Sequence, residues 1–307
     1  IYNSDVVINL IGILFETRKQ KFYNIHGKIP EAVAKICSKS NVKKFINVSA
    51  IGANENSKSL YQKSKRQGEI NALKNFDKTI IIRPSVVCGA EDNFTNLFSK
   101  LSMLPVIPIV GINYKFQPIL VSDVADAIVK AIDVKNNEGK IYELGGPKQI
   151  SFGEMVKSIL NKINKKRFVI EMPMAIAKIQ SSITDFLPFP PILTRDQCEI
   201  LSEADNIVSN EHLNIKDLNI KPADVEEEMK KCIVHRSFPL CFLRALFGLL
   251  HFVLLSLNQS ARARAMSHPR GNVFTQARYA DCLTRVDANE LRALSRGNER
   301  TCTPWDA

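Results

Sequence analysis

From Asp5 to Gly12 the chain reads Asp-Val-Val-Ile-Asn-Leu-Ile-Gly, an almost unbroken apolar run closed by glycine. A strand that is apolar on both faces needs helices covering both sides of its sheet, which is the setting of parallel strands. Parallel strands in turn need crossover connections, usually helical. The residues that follow supply them. Tyr23-Asn24-Ile25-His26-Gly27 opens a helical stretch with apolar Ile29, Val33 and Ile36 at helical spacing, and Lys44–Val48 reads as a second strand. A third, Thr79–Arg83, runs into Pro84-Ser85-Val86-Val87-Cys88-Gly89. Within Phe116–Ala127 a short strand runs into a helix that Ser122 or Asp123 could cap, and Ile141–Leu144 is stopped by Gly145-Gly146-Pro147. Ser151 and Glu154 form a capping box that opens another helix. This alternation predicts an α/β fold, a doubly wound parallel sheet of Rossmann type, with a smaller and mainly helical lobe after it.

Between the second strand and the next helix lie Ser49, Tyr61 and Lys65. Tyr61 and Lys65, four apart, share one helical face, so the ammonium can sit beside the phenol and pull its pKa down. With the Ser49 hydroxyl steadying a substrate oxygen, this is equipment for proton relay during hydride transfer. A Tyr-x-x-x-Lys spacing also arises by chance on any exposed Lys-rich helix, and that reading stays open on these residues alone.

Several motifs occur in a fixed order: Asn9-Leu10-Ile11-Gly12, Asn24 to Gly27, Val48-Ser49-Ala50, Tyr61-x-x-x-Lys65, Arg83-Pro84-Ser85-x-x-x-Gly89 and Val121-Ser122-Asp123-Val124-Ala125. Over about residues 1 to 230 the chain resembles the extended and atypical short-chain dehydrogenases/reductases. Gly12-Ile13-Leu14-Phe15-Glu16, Ser49-Ala50-Ile51-Gly52-Ala53, Gly89-Ala90-Glu91-Asp92-Asn93-Phe94 and Leu193-Thr194-Arg195-Asp196-Gln197 make it similar to the nucleotide-binding accessory subunits of NADH:ubiquinone oxidoreductase (complex I). The resemblance implies a cofactor, NADP(H) or NAD(H), held tightly in the full-length parent. It implies that Leu10, Ile11 and Gly12 line the cleft near the adenine-side ribose and linking phosphates, with Ser49 and Ala50 beside the nicotinamide. Tyr61 would be general acid/base, Lys65 would bond the nicotinamide ribose, and Pro84, Val86 and Val87 would pack on the nicotinamide. Asn24 either buttresses the first strand's end or caps the following helix. Arg195 either meets an anionic ligand or makes a salt bridge, behind Thr194 as a helix cap.

In that family the Asp5–Ile11 strand is the fourth of its sheet. About three strands and a Gly-x-x-Gly-x-x-Gly phosphate turn should precede it. The sequence contains no such turn and starts at Ile1, so we expect an N-terminally incomplete chain whose first strand presents an unpaired apolar edge. The residue that selects NAD or NADP belongs to the absent part.

The chain carries a net charge of +11, but ten of its 15 arginines and none of its lysines follow residue 232. Fold physics does not explain that change. It reads as a junction between sequences of different origin, or as a genuine appended segment, in either case without convincing hydrophobic period after Asn258. The expected division is a partial dinucleotide-binding domain at 1–150 with a cleft-covering insert at about 90–115, a smaller lobe at 151–232, and an Arg-rich tail at 233–307. The tail's apolar segment, 238–257, contains Arg244 and His251 and suits a buried or interfacial helix better than a span. Seven cysteines without Cys-x-x-Cys spacing and five scattered histidines predict no metal site. Lys58–Arg66 and Lys162–Arg167 read as solvated faces, so no nucleic-acid partner is expected.

Two functions compete. The first is a structural or assembly subunit on complex I, peripheral to the membrane on its matrix or cytoplasmic side. The Phe- and Pro-rich stretch Phe186–Pro191 favours such a protein-facing surface over a sugar-nucleotide pocket. The second is an active NAD(P)-dependent reductase, epimerase or dehydratase using Ser49, Tyr61 and Lys65.

Overall fold

Side-chain alternation along one strand divides the molecule into layers. In Lys44–Val48, Phe45 packs with Ala34, Cys37, Ala72 and Phe76 on one face, while Ile46 joins Ile80, Ile82, Ala127 and Leu144 on the other. Helices therefore cover both faces, as the near-continuous apolar strands require. The structure, a computed structural model, describes residues 3–89, 92–184 and 193–232. The chain divides into two units, Ile1–Phe238 and Pro239–Ala307, and every described residue belongs to the first. The tail from residue 233, its apolar segment and Phe186–Pro191 lie outside the described residues.

The strands are β1 (Val6–Asn9), β2 (Lys44–Val48), β3 (Thr79–Pro84), β4 (Val87–Cys88), β5 (Val106–Ile109), β6 (Lys115–Phe116), β7 (Ile119–Leu120), β8 (Ile141–Leu144), β9 (Ile150–Ser151), β10 (Phe168–Glu171) and β11 (Leu213–Asn214). The helices are α1 (Ile29–Ser38), α2 (Leu60–Asn75), α3 (Asn93–Leu101), α4 (Val121–Asp133), α5 (Phe152–Lys162), α6 (Met174–Thr184), α7 (Arg195–Ile200) and α8 (Val225–Cys232). A five-stranded sheet runs β1-β2-β3-β8-β11, parallel throughout, with Val6 opposite Lys44 and Phe45 opposite Thr79. This is the expected parallel α/β sheet. β1 is one edge, and Ile8 stands 42% exposed there.

β1 ends two residues before the apolar run does. Asn9 Nδ2 donates to Asn47 Oδ1 at 2.7 Å, and Asn9 Oδ1 accepts the Ile11 N–H at 3.2 Å, which turns the chain out of the ladder. The cap expected at Ser122 or Asp123 is also corrected. The chain passes from β7 straight into α4, whose N-cap is Leu120 with no side-chain bond, and Asp123 instead accepts the Ala223 N–H at 2.9 Å. The capping boxes at Ser151/Glu154 and Thr194/Gln197 form as read. At the far end of the sheet, Lys44 Nζ donates to the Ile132 carbonyl at 2.8 Å and to the Ala131 and Val134 carbonyls, a cation on the C-terminus of α4.

A second core gathers Phe98, Ile107, Ile109, Phe116, Phe152, Met155 and Ile159, and so draws on residues before and after β8. Its β5–β10 pair is parallel, and Val106, Pro108, Phe168 and Ile170 face outward from it.

Candidate functional site

Two features carry Tyr61 and Lys65 to the carboxyl ends of β1 and β2. The first is α2, which begins one residue before Tyr61 under a Ser59 cap. The second is a π-helical turn, Tyr23–Lys28, that runs directly into α1 and buries His26 and Gly27. Such turns are rare and concentrate at functional sites. Gly68 of α2 lets the two approach, because a Cβ there would lie 1.9 Å from the His26 carbonyl oxygen.

Lys65 is 8% exposed, and its ammonium makes a single long hydrogen bond among the described residues, 3.4 Å to the Val48 carbonyl. Burial drops its pKa to about 8, against the pull of Glu69. A Cβ built on Gly12 would sit 3.3 Å from Lys65 Nζ, so the turn after β1 passes beside the ammonium. Ser49, 4% exposed, extends the β2–β3 ladder by donating its N–H to the Ile82 carbonyl at 2.7 Å. Its Oγ is buried and has no hydrogen-bond partner among the described residues. Leu10 and Ile11 are exposed at the sheet edge. Pro84 is buried at the end of β3, where its carbonyl accepts the Ile51 N–H, and Ala50 lies between these points. Val86 packs on the core around Phe98 and Phe152, and Val87 on the core around Ile46 and Ile80.

Three expectations change. Lys65 lies 5.8 Å from the Tyr61 ring centroid, but the Tyr61 pKa is pushed up to about 12, not down. Burial against Phe22 and His26 disfavours the phenolate, and the Asp196 carboxylate adds to the effect. Asn24 is exposed on the π turn and neither caps it nor holds the end of β1; Asn9 and His26 do that work. Arg195 is exposed and forms no salt bridge among the described residues, while Asp196 beside it is fully engaged.

Asp196 is one of three residues that the sequence did not single out. Its carboxylate accepts from Ser59 Oγ at 2.7 Å, Leu60 N at 2.6 Å and Tyr61 N at 3.2 Å, capping α2 from another part of the chain. Glu203 accepts from Ser57 Oγ at 2.8 Å and from the Lys58 N–H. Asn206 accepts the Ser85 hydroxyl at 2.6 Å and donates to the Ile51 carbonyl at 3.4 Å. Residues 196–206 thus form a strap over the loops that carry Ser49 and Tyr61. Asp196 had one sequence signal, its place behind the Thr194 cap. Beneath the site, Arg83 is held by Glu69 at 2.7 and 2.8 Å and by Glu143 at 3.2 Å, all buried.

Among the described residues, no helix is long and apolar enough to cross a membrane. No family model matches the sequence. The chain is 31% identical over 228 residues to NADH dehydrogenase [ubiquinone] 1 alpha subcomplex subunit 9, mitochondrial, of Mus musculus, covering 74% of this chain and 60% of the relative. It is 34% identical over 233 residues to the protein of the same description in Arabidopsis thaliana (71% and 57%). It is 30% identical over 223 residues to the NADH-ubiquinone oxidoreductase 40 kDa subunit, mitochondrial, of Neurospora crassa (73% and 59%). The chain therefore spans about three-fifths of the length of these curated relatives. Among solved structures, a nucleoside-diphosphate-sugar epimerase from Staphylococcus aureus superposes with a TM-score of 0.58 at 13% identity, over 74% of this chain and 77% of that one. A dTDP-4-dehydrorhamnose reductase from Bacillus anthracis in complex with NADP gives 0.53 at 18%, over 74% and 79%. These two share the fold. Over the matched residues these NADH:ubiquinone oxidoreductase subunits are homologues of the chain, and its fold is the Rossmann-type α/β fold of the two solved structures.

Proposed function

We propose that this chain supplies the nicotinamide side of a dinucleotide cleft, in a nucleotide-binding accessory subunit of NADH:ubiquinone oxidoreductase that holds its cofactor without turning it over. The observation that carries the reading is a pair of buried polar groups with little to bond: the Lys65 ammonium, beside Gly12 after β1, and the Ser49 hydroxyl, just past the end of β2. Buried donors are normally satisfied, so these two fit a ribose hydroxyl and a carboxamide-sized polar group. Such a cofactor would supply hydride chemistry when bound. The chain's own residues favour retention. Lys65 and Ser49 bind, Leu10, Ile11, Ala50, Pro84, Val86 and Val87 bound the cleft, and Tyr61 stays a protonated donor because burial and Asp196 oppose its ionisation.

On this proposal residues 1–150 bind the cofactor and 151–232 face partner subunits, at the matrix or cytoplasmic surface of the membrane. Exposed Val106, Phe168 and Ile170 beside exposed Lys165 and Lys166 support a peripheral contact with an anionic surface. The competing enzyme reading rests on the retained Ser49, Tyr61 and Lys65. The protein isolated from its own cells decides between them. Retained dinucleotide, identified by mass spectrometry and left unoxidised by added carbonyl compounds, together with co-purifying oxidoreductase subunits, supports the structural role. Turnover that Tyr61→Phe abolishes would overturn it in favour of the enzyme.

A further inference from the structure

His26 is a titratable group at the site that neither reading uses. It is 3% exposed, and both ring nitrogens are engaged. The Ile13 N–H points at Nε2 at 3.0 Å, and a backbone N–H can only donate. Nε2 is therefore the unprotonated nitrogen and Nδ1 carries the proton, which it gives to Ser64 Oγ at 2.9 Å. The Ser64 hydroxyl passes its own proton to the Tyr61 carbonyl at 2.8 Å. Every donor in this chain has one acceptor, and the direction is the same throughout. The ring is also clamped, stacked on Phe22 at 5.4 Å and edge-on to Tyr61 at 5.3 Å.

Two costs have been accepted to place this ring. A π-helical turn gives up regular helix geometry between Tyr23 and Lys28, and a glycine stands inside α2 at Gly68, where only a missing side chain admits the His26 carbonyl. We propose that His26 is a positioning residue: as a neutral Nδ1–H imidazole it ties the Gly12–Ile13 turn after β1 to the helix bearing Tyr61 and Lys65, and so fixes the width of the cleft between them. The claim rests on the dinucleotide reading for its effect on affinity, though not for the tie itself. Burial, and then the Lys65 charge, hold the His26 pKa down to about 3, so the imidazole stays neutral at physiological pH and keeps its acceptor nitrogen.

The test uses the full 307-residue chain, His26→Phe, which keeps the ring contacts and removes both bonds, and Ser64→Ala, a milder second variant. Imidazole ¹⁵N shifts should report the Nδ1–H tautomer, unchanged down to about pH 5. The Ile13 amide should exchange about tenfold faster in His26→Phe and less so in Ser64→Ala. NADPH, titrated as the probe, should bind about tenfold more weakly to His26→Phe. An Nε2–H tautomer, a titration near the ordinary histidine value, or unchanged Ile13 exchange overturns the proposal, as does unaltered NADPH affinity in His26→Phe. The NADPH titration is made on the protein as its own cells produce it; if that protein takes up no NADPH, the dinucleotide reading fails on its own, and the tautomer and exchange results still decide whether His26 ties Ile13 to α2.

Discussion

Asp196 and Tyr61 show how one side chain sets the chemistry of another through the backbone. The Asp196 carboxylate receives three donors at the start of α2 and places its charge beside the Tyr61 phenol. Asp196→Asn should remove that charge and most of the cap. Tyr61 should then ionise at lower pH, read by tyrosine ¹³C shifts, and stability should fall by about 1–2 kcal/mol in a denaturant titration. His26 gives a second outcome. Its folded pKa, about 3, lies below the ordinary 6.5, so the unfolded chain binds the extra proton between those values. Stability should therefore be full above about pH 6.5 and decline toward pH 3, by up to the order of 4 kcal/mol. In His26→Phe the stability-versus-pH slope across that window should flatten; an unchanged slope would exclude His26 as its source. Neither residue was readable as a site residue from sequence. Periodicity registers burial and spacing, whereas the role of His26 depends on a π turn and that of Asp196 on a contact 135 positions away.

At the scale of elements, the sequence reading succeeded where local signals are dense. The spans read for β2 and β3 agree to within a residue, because each apolar run is bounded by residues that end strands. It failed where a side chain reached out of its own element: Asn9 ended β1 early, and α4 began without a cap because β7 leads directly into it. The two-residue strands carry too little pattern to read at all. Two elements carry measurable consequences. Gly68→Ala should raise intrinsic helix propensity yet destabilise the protein by about 1–3 kcal/mol, because the added Cβ meets the His26 carbonyl oxygen at 1.9 Å. A thermal melt that rises instead would show that the π turn relaxes freely. Beneath the site, Glu69→Gln leaves Arg83 buried with an incomplete partner, and a loss of about 3–5 kcal/mol is expected. Replacing Arg83, Glu69 and Glu143 together by apolar residues of similar volume should cost less than that single change.

For the molecule as a whole, the parallel sheet displays β1 as an edge, with Ile8 42%, Leu10 67% and Ile11 53% exposed along and just beyond it. Unpaired backbone groups beside exposed apolar side chains recruit further strands. The isolated chain should associate as its concentration rises, and Ile8→Lys should shift sedimentation toward smaller species with little effect on the melting curve. The strap of residues 196–206 bears on when the site can exist. Ser57 and Glu203 are separated by 146 positions, Leu60 and Asp196 by 136, and Ser85 and Asn206 by 121. A ribosome making this protein releases the tyrosine helix long before the carboxylates that pin its first turn. Until those late residues emerge, the leading end of α2 has only its local Ser59 cap, and the cleft takes its final form late in vectorial folding.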